Sequence, residues 1–134
     1  MSEISFKKIF HTLERTVSLA HQRHDSIASN ISNLDTSNYK PRDIDFKGAL
    51  SRAIESDNGI SLSKTHPGHM DVGMDPDGSL QPVEETGEWN GYNWVNIDKE
   101  MVKLIENNLL HRTAVEVLLR KIATLKEVIR EGGR

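Results

Sequence analysis

Proline and glycine divide this 134-residue chain before any motif is sought. All four prolines and seven of the nine glycines fall between residues 35 and 96. Both residues destabilise a helix interior. The chain therefore reads as two helix-competent ends around a turn-rich centre.

The N-terminal end carries Phe6, Ile9, Phe10, Leu13, Val17, Ala20, Ile27, Ile31 and Leu34, with His24 at a stripe position. Steps of three and four put these on one helix face. About 30 helical residues span ~45 Å, a length natural to a coiled-coil element. The pattern returns after Asp98 with Met101, Ile105, Val115, Leu118, Leu119, Ile122, Leu125 and Ile129, interrupted by Asn108. Asn96 is placed to cap that helix, and Asp98 and Glu100 suit the positive end of its dipole. Lys126 and Arg130 suit its last turn, with Gly132 and Gly133 after it.

Each helix has one apolar stripe to bury, and the economical solution is to pack one against the other. The expected fold is mainly α: long N- and C-terminal helices in an antiparallel, coiled-coil-like pair, joined by an extended middle with room for short β pairing. The expected division is 1–34 for the first helix, 35–96 for the arm and 97–134 for the last helix, within one structural domain. In the middle, Phe46–Ile54 offers one or two helical turns, and Ile60–Leu62 and Ser79–Leu80 are short extended runs. The packing residues named by the stripes are Phe6, Phe10, Leu13, Val17, Ile27, Ile31, Met101, Ile105, Val115, Leu118, Ile122, Leu125 and Ile129.

Composition limits what such a chain does alone. Hydrophobic residues make up 36% and charged residues 28%. That is lean for offsetting the ordering entropy of a small domain. Much of each stripe stays uncovered by a single partner helix, so order is expected to complete on assembly. A net charge of −3 without a basic block argues against nucleic-acid binding. The absence of cysteine excludes disulfides and thiolate metal sites. The N-terminus has no apolar run of signal-peptide length, and no segment approaches the ~20 apolar residues of a membrane span.

The first helix pattern closes on Ser29-Asn30-Ile31-Ser32-Asn33-Leu34-Asp35-Thr36-Ser37-Asn38-Tyr39-Lys40-Pro41. Asn30 and Asn33 sit where helical carbonyls lack partners, so their amides can bond those carbonyls or a neighbouring subunit. Thr36 can bond backbone in the turn, and Asn38 tolerates a left-handed backbone. Tyr39 offers a ring with a hydroxyl suited to a subunit contact, and Pro41 forbids helix resumption. Two readings stand: an ordinary helix terminus, which needs only one or two of these residues, or a joint setting the angle of an arm laid on an adjacent subunit.

Sites for chemistry are weaker. His66 and His69 flank Pro67-Gly68, a turn rather than a helix face bearing two metal ligands. Asp75, Asp77, Gly78 and Glu84 overlay part of a calcium loop, but Gly73 stands in the first ligand place and Pro76 and Pro82 suit no flanking helices. No nucleophile elbow, phosphate loop or acid pair is present. No catalytic, cofactor or metal residue is assigned, and the reading is of a non-enzyme.

The turn resembles the Asn-x-x-Asn-x-x-Thr-x-Gly-Tyr signature of the bacterial flagellar axial proteins, the rod, hook and hook-associated family. Asn30, Asn33, Thr36 and Tyr39 match it, and Asn38 stands where glycine is usual. Lys40–Phe46, the segment Lys64-Thr65-His66 with His69, and Asn93–Met101 extend the resemblance nearly end to end. The short length and these segments resemble the FlgB rod proteins, with the FlgC rod proteins the nearest alternative. A small helical adaptor or chaperone is the rival of another class; it would form a stoichiometric dimer and would not need the long middle.

What the resemblance implies is a structural rod subunit of the basal body. It would be exported by the flagellar type III apparatus without a cleaved signal, and would assemble helically in the periplasm to transmit torque. Implied partners are other copies, FlgC, FlgF, FliE, the MS ring and the export gate at the rod base. Nucleic acid and membrane embedding are not implied.

Overall fold

The computed structural model describes residues 2–56 and 81–133. The element order is α1 (Ser2–Ser32), β1 (Arg42–Asp43), α2 (Phe46–Ser56), β2 (Val83–Glu84) and α3 (Ile97–Gly132). The two long helices lie against each other. Asn30 near the end of α1 bonds Glu100 near the start of α3, and Ala20 bonds Asn107, so the helices run antiparallel.

Local chemistry sets the boundaries. The Asn96 side chain accepts the backbone N–H groups of Asp98 and Lys99, the cap expected for α3. Asp45 caps α2 by accepting the N–H of Gly48 at 3.0 Å. A Cβ at Gly48 would lie 2.1 Å from that carboxylate, so the close cap depends on glycine there. The middle helix runs 11 residues, longer than the one or two turns expected, and packs Phe46 and Leu50 beside the buried Ala49.

Among the described residues, two short strands pair. Arg42 pairs with Glu84 and Asp43 with Val83, antiparallel. The runs Ile60–Leu62 and Ser79–Leu80, the His66/His69 pair and most of the calcium-like loop lie outside the described residues.

The core is small and lies toward the turn end of the helix pair. Ile27, Leu19 and Ala20 of α1, Ile44 and Ala49 of the arm, Val95 and Ala114 are buried. The seam face of α3 is not the apolar stripe read from its sequence. Its buried positions are Glu100, Asn107 and Ala114, seven residues apart. Met101 and Ile105, expected in the seam, stand outside it with Ile105 64% exposed, and so does Ile129. Polar and small residues hold the seam, and a count of apolar residues passes over them. The interrupting residue Asn108 is exposed, and its neighbour Asn107 is the one buried. Val115, Leu118, Ile122 and Leu125 are half-buried, as are Phe6, Phe10, Leu13, Val17 and Ile31. Among the described residues, no helix is long and apolar enough to cross a membrane.

Candidate functional site

The signature turn builds a polar junction that ties α1, the arm and the start of α3 together. Its centre is Asn30, with no exposed surface. A carboxamide can make four hydrogen bonds, and Asn30 makes all four. Its Oδ1 accepts the Arg42 N–H at 2.9 Å and the Tyr39 hydroxyl at 3.2 Å. Its Nδ2 donates to the Arg42 carbonyl and to Glu100 Oε2, at 2.8 and 2.9 Å. Toward Arg42 the side chain acts as one more peptide unit, bonding both backbone groups. Ser26 Oγ adds a second donor to the Arg42 carbonyl at 2.8 Å.

The start of the arm, at Arg42, is therefore bonded back to its own helix, whereas the joint reading lays the arm on an adjacent subunit. The Tyr39 hydroxyl is likewise engaged within the chain. Asn33 does what a helix-end amide is expected to do, donating to the Ser29 carbonyl at 2.8 Å. Thr36 Oγ1 donates to Asn33 Oδ1 at 3.0 Å. Asn38 has φ +58°, the left-handed conformation that asparagine tolerates best among residues with a Cβ.

A second buried asparagine completes the turn from far along the chain. Asn93 Nδ2 donates to the carbonyls of Leu34 and Thr36, at 2.6 and 3.2 Å. Its Oδ1 accepts the Val95 N–H and the Asn90 amide, at 3.0 and 2.9 Å. It too makes all four bonds and is fully buried. The Tyr92 hydroxyl reaches the Asp35 carbonyl at 2.9 Å, and backbone bonds join Asn38 to Tyr92 and Trp94 to Tyr39. Carbonyls of the turn that follows α1 are thus satisfied by residues 57 to 59 positions later. Sequence reading gave Asn90 and Asn93 no role in the turn, because nothing local shows what they close on.

Charge runs beside this centre. Glu100 is 2% exposed and shares its carboxylate between Asn30 and Lys103, the latter at 2.9 Å. Lys103 also pairs with Glu85 and lies 3.8 Å from Asp43. Asp43 in turn takes a two-pronged pair of bonds from Arg23, both 2.9 Å. Burying a carboxylate costs several kcal/mol unless its oxygens are paired, and here both are. Burial works against the Lys103 ammonium, but hydrogen bonds to Glu85 and Glu100 outweigh it and hold its pKa above the ordinary lysine value. The hydrogen bond to Asp43, against a smaller opposing effect of burial, raises the Arg23 pKa above its ordinary value. Asp43 and Glu85 lie on the two stems of the arm, so the network fastens both stems to both long helices.

The arrangement offers closure and rigidity rather than a reacting centre. Donors and acceptors are matched to one another. A groove of about 730 Å³ beside the junction is lined by Ser29, Asn38, Tyr39, Lys40 and Arg42, among others, with the buried Asn30 behind them.

Comparison with known proteins shows the family. A family model described as flagella basal body rod protein matches residues 10–40, most of α1 and the signature turn. The flagellar basal body rod protein FlgB of Aeromonas hydrophila is 31% identical over 131 residues, covering 95% of this chain and 96% of that one. FlgB of Bacillus subtilis is 30% identical over 95% of this chain and 97% of its own. FlgB of Yersinia enterocolitica is 30% identical over 89% and 91% respectively. Matches of this length include the α3 segment as well as the signature, and favour the FlgB reading over a FlgC-like subunit or a helical adaptor. The chain belongs to the FlgB family of flagellar basal body rod proteins, structural subunits of the rod.

Proposed function

We propose that the junction is the joint of this rod subunit: it holds the arm at one angle to the helix pair, and so presents a fixed shape to neighbouring subunits. The observation that carries this is the fourfold bonding of Asn30, which joins α1, the arm and α3 through one buried side chain. Asn33, Thr36, Asn38 and Tyr39 hold the turn that presents it. A rod that transmits torque gains from joints without soft degrees of freedom, and fully paired buried polar networks are stiff.

In this reading the subunit sits in the proximal rod and assembles helically with copies of itself and with FlgC and FlgF. FliE, the MS ring and the export gate lie at the rod base. It reaches the periplasm through the flagellar type III apparatus without a cleaved signal. The exposed and half-buried apolar residues of the two long helices, Phe6, Phe10, Leu13 and Val17 with Met101, Ile105, Leu118, Ile122, Leu125 and Ile129, are buried by those neighbours. Ile27, already buried within the chain, and Ile31 support the helix pair.

The test is a strain carrying Asn33→Ala with Tyr39→Ala, scored by the protein in purified basal bodies and in the export fraction. The expected result is export without rod incorporation. Normal motility with normal incorporation would overturn the joint.

A further inference from the structure

The helix α3 carries two faces, and only one of them is used within the chain. Glu100 and Asn107 bond α1, and Ala114 is buried on the same side. On the opposite side, Ile97, Met101, Ile105 and Leu109 follow one another every fourth residue, with Val102 beside them. Residues four apart form a continuous ridge, the one used in the commonest helix–helix packing. Met101 is 44% exposed, Val102 55%, Ile105 64% and Leu109 67%, so this ridge stands in water in the lone chain. The far side of α1 is polar by contrast, with Lys7, Glu14, Ser18, His21 and Asp25 exposed. A contiguous apolar face left in water marks a contact site.

The charges at the ends of the ridge indicate what covers it. Asp98 and Arg112 each lie seven residues from Ile105, about two helical turns, and so share its face. Both are exposed, and neither side chain has an ion pair among the described residues. About Ile105 the face is therefore symmetric in position and opposite in charge. Turned over on a two-fold axis through Ile105, it matches itself. Asp98 then meets Arg112 of a second copy, Met101 meets Leu109, and Ile105 meets Ile105. A parallel pairing in register would instead set Asp98 on Asp98 and Arg112 on Arg112, like charge on like charge.

We propose that the outer face of α3 is a homodimer surface: two free copies pair antiparallel across Ile105, through an apolar ridge closed at each end by an Asp98–Arg112 ion pair. An isologous contact of this kind uses the face up and leaves no free end for further growth. For a rod subunit, that keeps the face covered and growth stopped until rod neighbours displace the second copy. This consequence rests on the rod reading; the dimer itself rests on α3 alone.

The experiment is sedimentation of the full chain over a concentration series. A monomer–dimer equilibrium is expected, with a helical melt that moves upward with concentration. Asp98→Arg and Arg112→Asp each turn two attractive pairs into repulsive ones. Each should weaken the dimer at least about tenfold, and the two together should restore most of that loss. Both positions are exposed, so the helical signal of the dilute chain should hold in every variant. Ile105→Lys sets two ammonium groups at the axis and should leave monomer alone. The chain has no cysteine, so Ile105→Cys carries a single thiol. A short bismaleimide should join two copies of that variant, and far less of Leu118→Cys at the open end. Monomer alone up to about 1 mM, open-ended association, a dimer indifferent to Ile105→Lys, a double reversal no tighter than the single ones, or preferential joining of Leu118→Cys would each overturn the proposal. None of these outcomes bears on rod incorporation, which is scored separately in basal bodies.

Discussion

The two ends of the long helix pair are held by different physics. At the signature end, Asn30, Asn93 and Glu100 are buried and fully bonded, and Ile27 packs beside them without exposed surface. At the other end, Phe6, Phe10, Leu13 and Val17 on α1 and Leu118, Ile122 and Leu125 on α3 are all half-buried. Phe6 and Phe10 meet each other, with ring centroids 4.8 Å apart. The signature end is complete within one chain. The open end has the stripe of a bundle and too few helices to cover it. Directional bonds make a unique joint, and uncovered apolar stripes make adhesive surface. A subunit that must keep its shape yet join others needs both, placed apart.

The sharpest way to break this contrast is Asn30→Asp. The new carboxylate loses the amide donors to the Arg42 carbonyl and Glu100 and faces Glu100 as a like charge. Leaving buried groups unpaired in this way should cost about 3–5 kcal/mol, a large share of the stability of a small domain. Urea unfolding would show a large fall in midpoint. A change of under about 1 kcal/mol would mean that the junction is solvated and not the anchor described.

Glu100→Gln sharpens the same point with a smaller effect. The amide keeps an acceptor for Asn30 and nearly the same shape, and removes the charge facing Lys103. Hydrogen bonds to charged groups are worth about 1.5–3 kcal/mol, and the loss should fall in or below that range. Lys103 also sets a pH dependence. Its pKa is raised on folding, so its contribution is fully present below the ordinary lysine range and is lost as pH rises through the raised value. Unfolding midpoints followed into alkaline solution should fall more steeply for the native chain than for Lys103→Met. Parallel curves would count against the paired ammonium.

Asn96→Ala isolates a local term. It removes the acceptor for two orphan N–H groups at the start of α3, next to the junction but outside its network. The expected loss is about 1 kcal/mol by thermal unfolding, additive with Glu100→Gln if the cap and the network are independent.

This contrast was unequally legible in the sequence. At the open end, spacings of three and four point to Phe6, Phe10, Leu13, Val17, Leu118, Ile122 and Leu125, which are half-buried, and also to Ile129, which is exposed; Asn96 is a local cap with a local signature. Asn38 was also legible, since a left-handed backbone restricts residue type. The signature end was not, because its logic is long-range and polar. Glu100 looks like an acid favouring a helix N-terminus, and Asn107 like a surface residue beside the more conspicuous Asn108. Only the seven-residue spacing of Glu100, Asn107 and Ala114 marks the true seam, and apolar counting rejects two of those three. Asn93 closes a turn nearly sixty positions earlier, which no local pattern reveals.

The smallest effect on the lone chain should come from the open end, and it tests the division of labour most directly. Leu118→Asp places a carboxylate on a half-buried position that solvent already reaches, so little apolar burial is forfeited and the charge stays hydrated. The isolated subunit should lose under about 1 kcal/mol. In the rod the same position would be covered by a neighbour, and an unpaired carboxylate there would be desolvated at a cost of several kcal/mol. A near-normal melt with weakened or absent rods is therefore expected, the opposite of Asn30→Asp, whose loss should already show in the lone chain. Intact, torque-bearing rods from Leu118→Asp would show that this stripe faces water in the assembly too. The adhesive surface would then have to be sought on the outer face of α3, at Met101, Val102, Ile105 and Leu109.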